Sequence, residues 1–163
     1  MHKQGEKMYL SVGEKAPDFN LPDENGQNHT LKEYAGKHVL LYFYPKDDTP
    51  GCTTEACNFR DDYSQYKDAN VVILGVSPDT PASHKKFKEK YQLPFTLLAD
   101  EKHVVCELYK VWGLKKSFGR EYDGVHRTTY LIDPKGIIQE VFQKVSPAKH
   151  SAQVLEILKD AGS

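Results

Sequence analysis

The sequence predicts an α/β fold: a central mixed β-sheet flanked by helices, preceded by an N-terminal extension. Three observations carry this. Val39–Tyr44 and Val71–Val76 are apolar almost without alternation, as expected of strands buried on both faces. Each is followed by a segment with helical periodicity, giving the strand–helix alternation that builds parallel sheet. Later, Asp133-Pro134-Lys135-Gly136 has the residue order of a type I turn between two further strand-like runs, so an antiparallel pair joins the same sheet.

Taken in order, residues 1–10 read as a polar, flexible tail. Residues 12–21 read as a lead-in loop and a short edge strand. Asp23-Glu24-Asn25-Gly26 reads as a turn, with Asn-Gly as its signal. Leu31 to Tyr34 makes one helical turn ended by Gly36. Residues 38–44 are the first central strand. Residues 51–68 read as one helix, with Ala56, Phe59, Tyr63 and Tyr66 on an apolar stripe and Asp61, Asp62 and Lys67 facing out. Asn70 ends it. Residues 71–76 are the second buried strand. Thr80-Pro81 is an N-cap followed by proline at the first helical position, and that helix runs to about Tyr91. Its Lys85, Lys86, Lys88 and Lys90 form a solvated face. Residues 95–98 give a short strand, 101–109 a helix, and 114–126 a Gly- and charge-rich loop. Strands at 127–132 and 137–142 flank the Asp133–Gly136 turn. Residues 147–160 form a closing helix with Val154, Leu155 and Leu158 inward. The order is a thioredoxin-like layout. No repeat, low-complexity tract or linker interrupts it, so residues 1–163 are expected to form one domain.

Composition narrows the function. Lys+Arg 22 against Asp+Glu 23 leaves a net charge of −1, with no electrostatic footprint for nucleic acid and no polybasic membrane patch. The apolar runs fall far short of the roughly 20 residues a spanning helix needs. Residues 1–7 have a positive start with no apolar core behind them, so no secretory signal is expected. The expected compartment is the cytoplasm, whose reducing environment makes a cysteine pair more often catalytic or metal-binding than a structural staple. The chain has three cysteines, too few for a secreted disulfide scaffold of this length.

The chemistry gathers at residues 44–57. A strand ends at Tyr44-Pro45, a turn-rich loop follows, and a helix opens with Cys52 in its first turn. Thiolate is the reactive form of cysteine, and unpaired N–H groups at a helix start stabilise it. Arg127 is the candidate cation. In this layout its strand would lie beside the strand ending at Tyr44, and a guanidinium stays charged while binding two acceptors at once. The Thr49 hydroxyl is close enough in sequence to bond the sulfur or a substrate oxygen, and Pro45 would shield the thiolate from water. Cys57 follows five residues later. In an intact helix Cα atoms at that spacing are roughly 8.6 Å apart and point about 140° apart around the axis. A disulfide tolerates at most about 7 Å. A Cys52–Cys57 bond would therefore need the helix to unwind, which argues for a switch rather than a static staple. The Cys-x4-Cys spacing, and the lack of a proline just before the 127–132 strand, both depart from thioredoxin-type reductants.

Pro45-x3-Thr49-x2-Cys52, with Arg127 opening a later strand, resembles the peroxiredoxin active-site motif. The longer string from Tyr44 through Lys46, Asp47, Pro50, Gly51, Thr53 and Glu55 to Arg60 is similar to the bacterioferritin-comigratory-protein (PrxQ) subfamily. So are Gly75-Val76-Ser77, Pro94-Phe95, Leu98-Ala99-Asp100 and Arg127-x-Thr129-x-Leu131-Ile132-Asp133. The resemblance spans about residues 10–160. It implies a thiol peroxidase in which Cys52 attacks a hydroperoxide and becomes a sulfenic acid. Thr49, Arg127 and the Cys52 N–H would hold the peroxide oxygens, Glu55 would orient Arg127, and Cys57 would resolve the sulfenic acid to an intramolecular disulfide. It implies thioredoxin as reductant, no cofactor and no metal. A resolving cysteine in the same chain removes the need for a dimer, so a monomer is expected.

Other readings of the same residues stay open at this stage. Cys57 also fits a core cysteine on the helix stripe. Cys106, beside Val104, Val105 and Leu108, fits a free core thiol or a back-up resolver. His103-x2-Cys106 is a weak metal pattern, and His126 fits either a solvated loop or the site wall. Two further classes are a zinc- or partner-binding module using Cys52 and Cys57, which alone supply half a tetrahedral site, and a redox sensor that is oxidised once without turnover.

Overall fold

A computed structural model describes residues 9–162. Its centre is a five-stranded mixed sheet built from β3 (His38–Phe43), β4 (Val71–Ser77), β5 (Thr96–Ala99), β8 (Thr128–Ile132) and β9 (Ile138–Gln143), in the order β5-β4-β3-β8-β9. β3, β4 and β5 run parallel, while β8 is antiparallel to β3 and to β9. The apolar runs of β3 and β4 follow from this: both strands are interior and covered on both faces. One face holds Leu41, Phe43, Tyr109 and Tyr130, and the other Leu40, Tyr42, Phe59 and Phe95. Gly75 in β4 makes room for the second group. A Cβ there would lie 2.9 Å from the Tyr42 ring.

The helices are α1 (Pro50–Asp61), α2 (Tyr63–Asp68), α3 (Pro81–Tyr91), α4 (Val104–Leu108) and α5 (His150–Gly162). α3 begins as its sequence says, with the Thr80 hydroxyl accepting from the Ser83 N–H at 3.1 Å. Before the main sheet, β1 (Asn20–Pro22) and β2 (Asn28–Thr30) form a small hairpin closed by the Asp23–Gly26 turn, followed by a 3₁₀ turn over Lys32–Tyr34.

Several expectations are corrected. Residues 1–8 of the expected tail lie outside the described residues. Leu10 is no tail residue: it is buried, and its N–H donates to the Tyr130 hydroxyl at 3.2 Å. The helix expected over 51–68 breaks at Asp62, which is half-buried and accepts from the Ser151 hydroxyl at 2.7 Å rather than facing out. The helix expected from 101 is shorter, because His103 is left-handed (φ 49°) and the Asp100 carboxylate caps the N–H groups of Val105 and Cys106. On α3, Lys88 is half-buried and pairs with Glu24 at 3.3 Å.

The largest correction is at 114–126. Here β6 (Trp112–Ser117) and β7 (Arg120–Val125) form an antiparallel hairpin, not a loop. Phe118 and Gly119, both at positive φ, make the two-residue turn that suits the strand twist. Strands with half their residues exposed and most of the rest only partly buried carry little apolar signal, which is why charge and glycine hid them.

Candidate active site

β3 ends at Phe43 and its neighbour β8 begins at Thr128, directly opposite Phe43 in register. Arg127 therefore emerges beside the loop that leads into α1. Cys52 sits in the first turn of α1, 1% exposed. The Arg127 Nη2 lies 3.2 Å from the Cys52 sulfur. Its Nη1 donates to Glu55 Oε1 at 2.6 Å, and Glu55 is itself buried one turn further along α1. One guanidinium thus joins the thiol to a carboxylate on the same helix, a fork that a lysine would not supply. Gly51 permits the approach, since a Cβ there would meet Nη2 at 3.3 Å.

Thr49 occupies the N-cap position but does not cap. Its hydroxyl proton goes to the Lys46 carbonyl, 2.8 Å away, and a hydroxyl has only one proton to give. It therefore donates to that carbonyl rather than to the sulfur, one of the two bonds expected of it. Its lone pairs remain to accept from a bound O–H. Because no side chain caps the helix, the N–H groups of Gly51 and Cys52 are left free of intrahelical partners at the dipole's positive end. Pro45 lies half-buried in the loop just after β3. Cys57 is half-buried on α1, and Cys52, Cys57 and Cys106 are all free thiols. Cys106 lies in the core, where burial and the Asp100 carboxylate push its thiol far up, out of reactive range.

The loop itself is held by residues to which sequence reasoning assigned no role. Asp47 accepts from the Tyr44 hydroxyl at 2.6 Å, the Ser83 hydroxyl at 2.8 Å and His84 Nδ1 at 2.7 Å, while its own N–H donates to Asp79 at 2.8 Å. Asp48, left-handed at φ 57°, bonds Lys90 and Tyr91 of α3. Most of these partners lie more than 30 residues away along the chain, so no local pattern announces them. Asp47, Asp79 and His84 are the one cluster of three metal-capable groups among the described residues. Their contacts to internal donors account for it as a loop anchor. The His103 imidazole bonds Glu107 and stacks on Trp112, with no role at the site. His126 is half-buried against Gly113 rather than in a solvated loop.

Residues 12–141 match the AhpC/TSA family. The chain belongs to this family, in its Bcp/PrxQ peroxiredoxin branch. It is 50% identical over 153 residues to Peroxiredoxin Bcp of Bacillus subtilis, covering 94% of this chain and 98% of that one. It is 47% identical over 151 residues to Peroxiredoxin Bcp of Escherichia coli K12, covering 93% and 97%. Among solved structures, a mutant of Xylella fastidiosa PrxQ superposes with a TM-score of 0.90 at 31% identity, over 95% of this chain and 99% of that one. The bacterioferritin comigratory protein of Xanthomonas campestris, studied for alkyl peroxide reduction, gives 0.84 at 35% identity over 89% and 92%. The thioredoxin-like peroxiredoxin fold and a thiol peroxidase activity follow from this membership. The zinc-module alternative gains no support from the geometry: among the described residues, neither Cys52 nor Cys57 falls in a cluster of three metal-capable groups.

In this peroxiredoxin the charges of the site depend on one another. Burial pushes the Glu55 carboxyl up to about 7, against the opposing pull of Arg127. Burial also works against the Arg127 charge, but Glu55 and Cys52 outweigh it and the guanidinium is held more firmly charged. On the neighbouring α5, burial lowers His150 to about 4. The consequences for stability have opposite signs. A carboxyl that titrates at about 7 when folded and near its ordinary value of about 4.3 when unfolded contributes stability fully below about pH 4.3, and loses it as pH rises through about 7. A histidine lowered to about 4 contributes stability above its ordinary value of about 6.5, lost as pH falls toward 4. Glu55→Gln removes the first slope and keeps the second. Melting temperatures from pH 4.5 to 8 are expected to show the variant gaining on the wild type up to about pH 7 and then holding level. Parallel curves would contradict the burial argument.

Proposed function

We propose that the chain reduces hydrogen peroxide and organic hydroperoxides through Cys52, resolves through Cys57, and is recycled by thioredoxin in antioxidant defence. The observation that carries this is the Arg127 guanidinium 3.2 Å from the Cys52 sulfur, held there by Glu55 at the start of an intact helix. The Cys52 thiolate attacks the terminal peroxide oxygen, the O–O bond breaks, and the departing alkoxide or hydroxide takes a proton and leaves as alcohol or water. Donors at Arg127 and the free N–H groups of α1 stabilise charge on the leaving oxygen, while the Thr49 oxygen accepts from the hydroperoxide O–H. The Cys52 sulfenic acid is then attacked by the Cys57 sulfur, water leaves, and a disulfide forms. A dithiol protein returns two electrons. That demand fits a reducing compartment, the cytoplasm, and an intrachain resolver fits a monomer.

The test is a coupled assay with thioredoxin, its reductase and NADPH. Continuous NADPH oxidation is expected with both hydrogen peroxide and an alkyl hydroperoxide. Consumption that stops at one peroxide per chain would favour a redox sensor instead, and turnover with glutaredoxin but not thioredoxin would reassign the reductant.

A further inference from the structure

The β6–β7 hairpin carries a half-buried lysine close in sequence and structure to Arg127. Lys115 is half-buried on β6, on the opposite side of the strand from the exposed Leu114 and Lys116. Its stem crosses Gly124, where a Cβ would come within 3.1 Å of it, and its ammonium donates to the Val125 carbonyl at 3.0 Å. Val125 is buried and stands two residues before Arg127. The glycine thus opens a lane that brings the ammonium to the base of the strand carrying the guanidinium.

Charge balance gives this placement a role. Arg127 faces two groups that become anionic, the Cys52 sulfur and the Glu55 carboxyl. Once both are ionised, one positive charge against two negatives leaves a buried site a charge short, which is costly where water is excluded. The other titratable groups around the sulfur do not supply the missing charge. Tyr42 on β3 is held as a neutral phenol by burial. His126 before β8 and His150 on α5 are both lowered, mainly by burial, and are neutral at pH 7. Burial works against the Lys115 charge, and so does Arg127, while the Cys52 sulfur favours it.

We infer that Lys115 is the second cation of the active site, a residue that supports the Cys52 thiolate through space without touching the peroxide. This rests on Cys52 as the nucleophile. With Lys115 present, the thiolate is supported while Glu55 holds its proton and also once the carboxyl ionises above about pH 7. Without it, the guanidinium must serve both and the thiol keeps its proton to higher pH.

The experiment measures alkylation of Cys52 by iodoacetamide and single-turnover reduction of hydrogen peroxide, in the full chain with Cys57 and Cys106 replaced by serine. Lys115→Met is expected to slow alkylation at pH 6.5 about fivefold and to leave it unchanged at pH 9.5. Peroxide reduction at pH 7 should fall about tenfold. Lys115→Arg restores most of both, and Lys116→Met, whose ammonium reaches Glu121 outside the site at 3.7 Å, behaves as the parent. Equal losses at both pH values, or a Lys115→Arg variant as slow as Lys115→Met, would overturn the inference in favour of a packing role. So would a Lys115→Met variant at parental rates. Cys52→Ser is measured alongside: peroxide reduction that survives it overturns the nucleophile assignment and this inference with it.

Discussion

Cys52→Ser is expected to reduce peroxide turnover to background, while Cys57→Ser consumes one peroxide per chain at an undiminished rate and then stalls. The two differ because the two sulfurs stand in different surroundings. Cys52 is buried at a helix start with a guanidinium on its sulfur and free N–H groups around it. A serine hydroxyl there remains protonated and is a poor nucleophile toward an O–O bond. Cys57 is half-buried five residues on, outside that cage, so its removal leaves the first step intact and blocks only the resolving step. Cys106 offers no rescue, since its thiol is buried in the core and held protonated. Stopped-flow oxidation of each variant, followed by steady-state turnover with thioredoxin, reads both steps. Normal turnover by Cys57→Ser would remove the resolving role.

Oxidation of the wild-type chain is expected to unwind α1. The helix runs unbroken from Pro50 to Asp61, so both sulfurs lie on intact helix at a Cα spacing of roughly 8.6 Å, beyond the about 7 Å a disulfide accepts. Something must yield, and the attachments of α1 say what it costs. Opening the helix releases the Glu55–Arg127 pair and the Asn58 bonds to the Pro147 and Ala148 carbonyls, and it draws on the fully buried Ala56 and Phe59. Exposing one such aromatic alone costs about 1.5–3 kcal/mol. The oxidised form is therefore expected to show weaker helical circular dichroism, faster proteolysis within residues 50–61 and a lower melting temperature. The loop before Cys52 should hold its place, because the Asp47 and Asp48 anchors to α3 lie outside the segment that opens.

The two interior strands, the Thr80 cap, the Asp133–Gly136 turn and the cysteine at a helix start were legible because each is local: a run, a cap or a turn within a few residues. Arg127 was legible at one remove. Only the pairing of β8 with β3 brings it to Cys52, and that pairing follows from the layout. What stayed hidden depends on contacts across the chain or on backbone conformations that composition does not announce. Leu10 reads as tail until Tyr130 receives its N–H. The Asp47 anchor needs His84 and Asp79. The β6–β7 hairpin turns on a left-handed Phe118, a residue type that gives no turn signal, and with the hairpin went Lys115. The Thr49 hydroxyl donates to the Lys46 carbonyl rather than to the sulfur, because a loop conformation and not a spacing decides its single proton.

Whether α1 opens to let Cys57 reach Cys52 is read by hydrogen exchange of the amides in residues 50–61, before and after one equivalent of peroxide, in the wild type and in Cys57→Ser. Slow exchange is expected in both reduced proteins, fast exchange in the oxidised wild type, and slow exchange retained in Cys57→Ser carrying only a sulfenic acid on Cys52. A wild type with a proven Cys52–Cys57 disulfide and unchanged protection across α1 would contradict that opening.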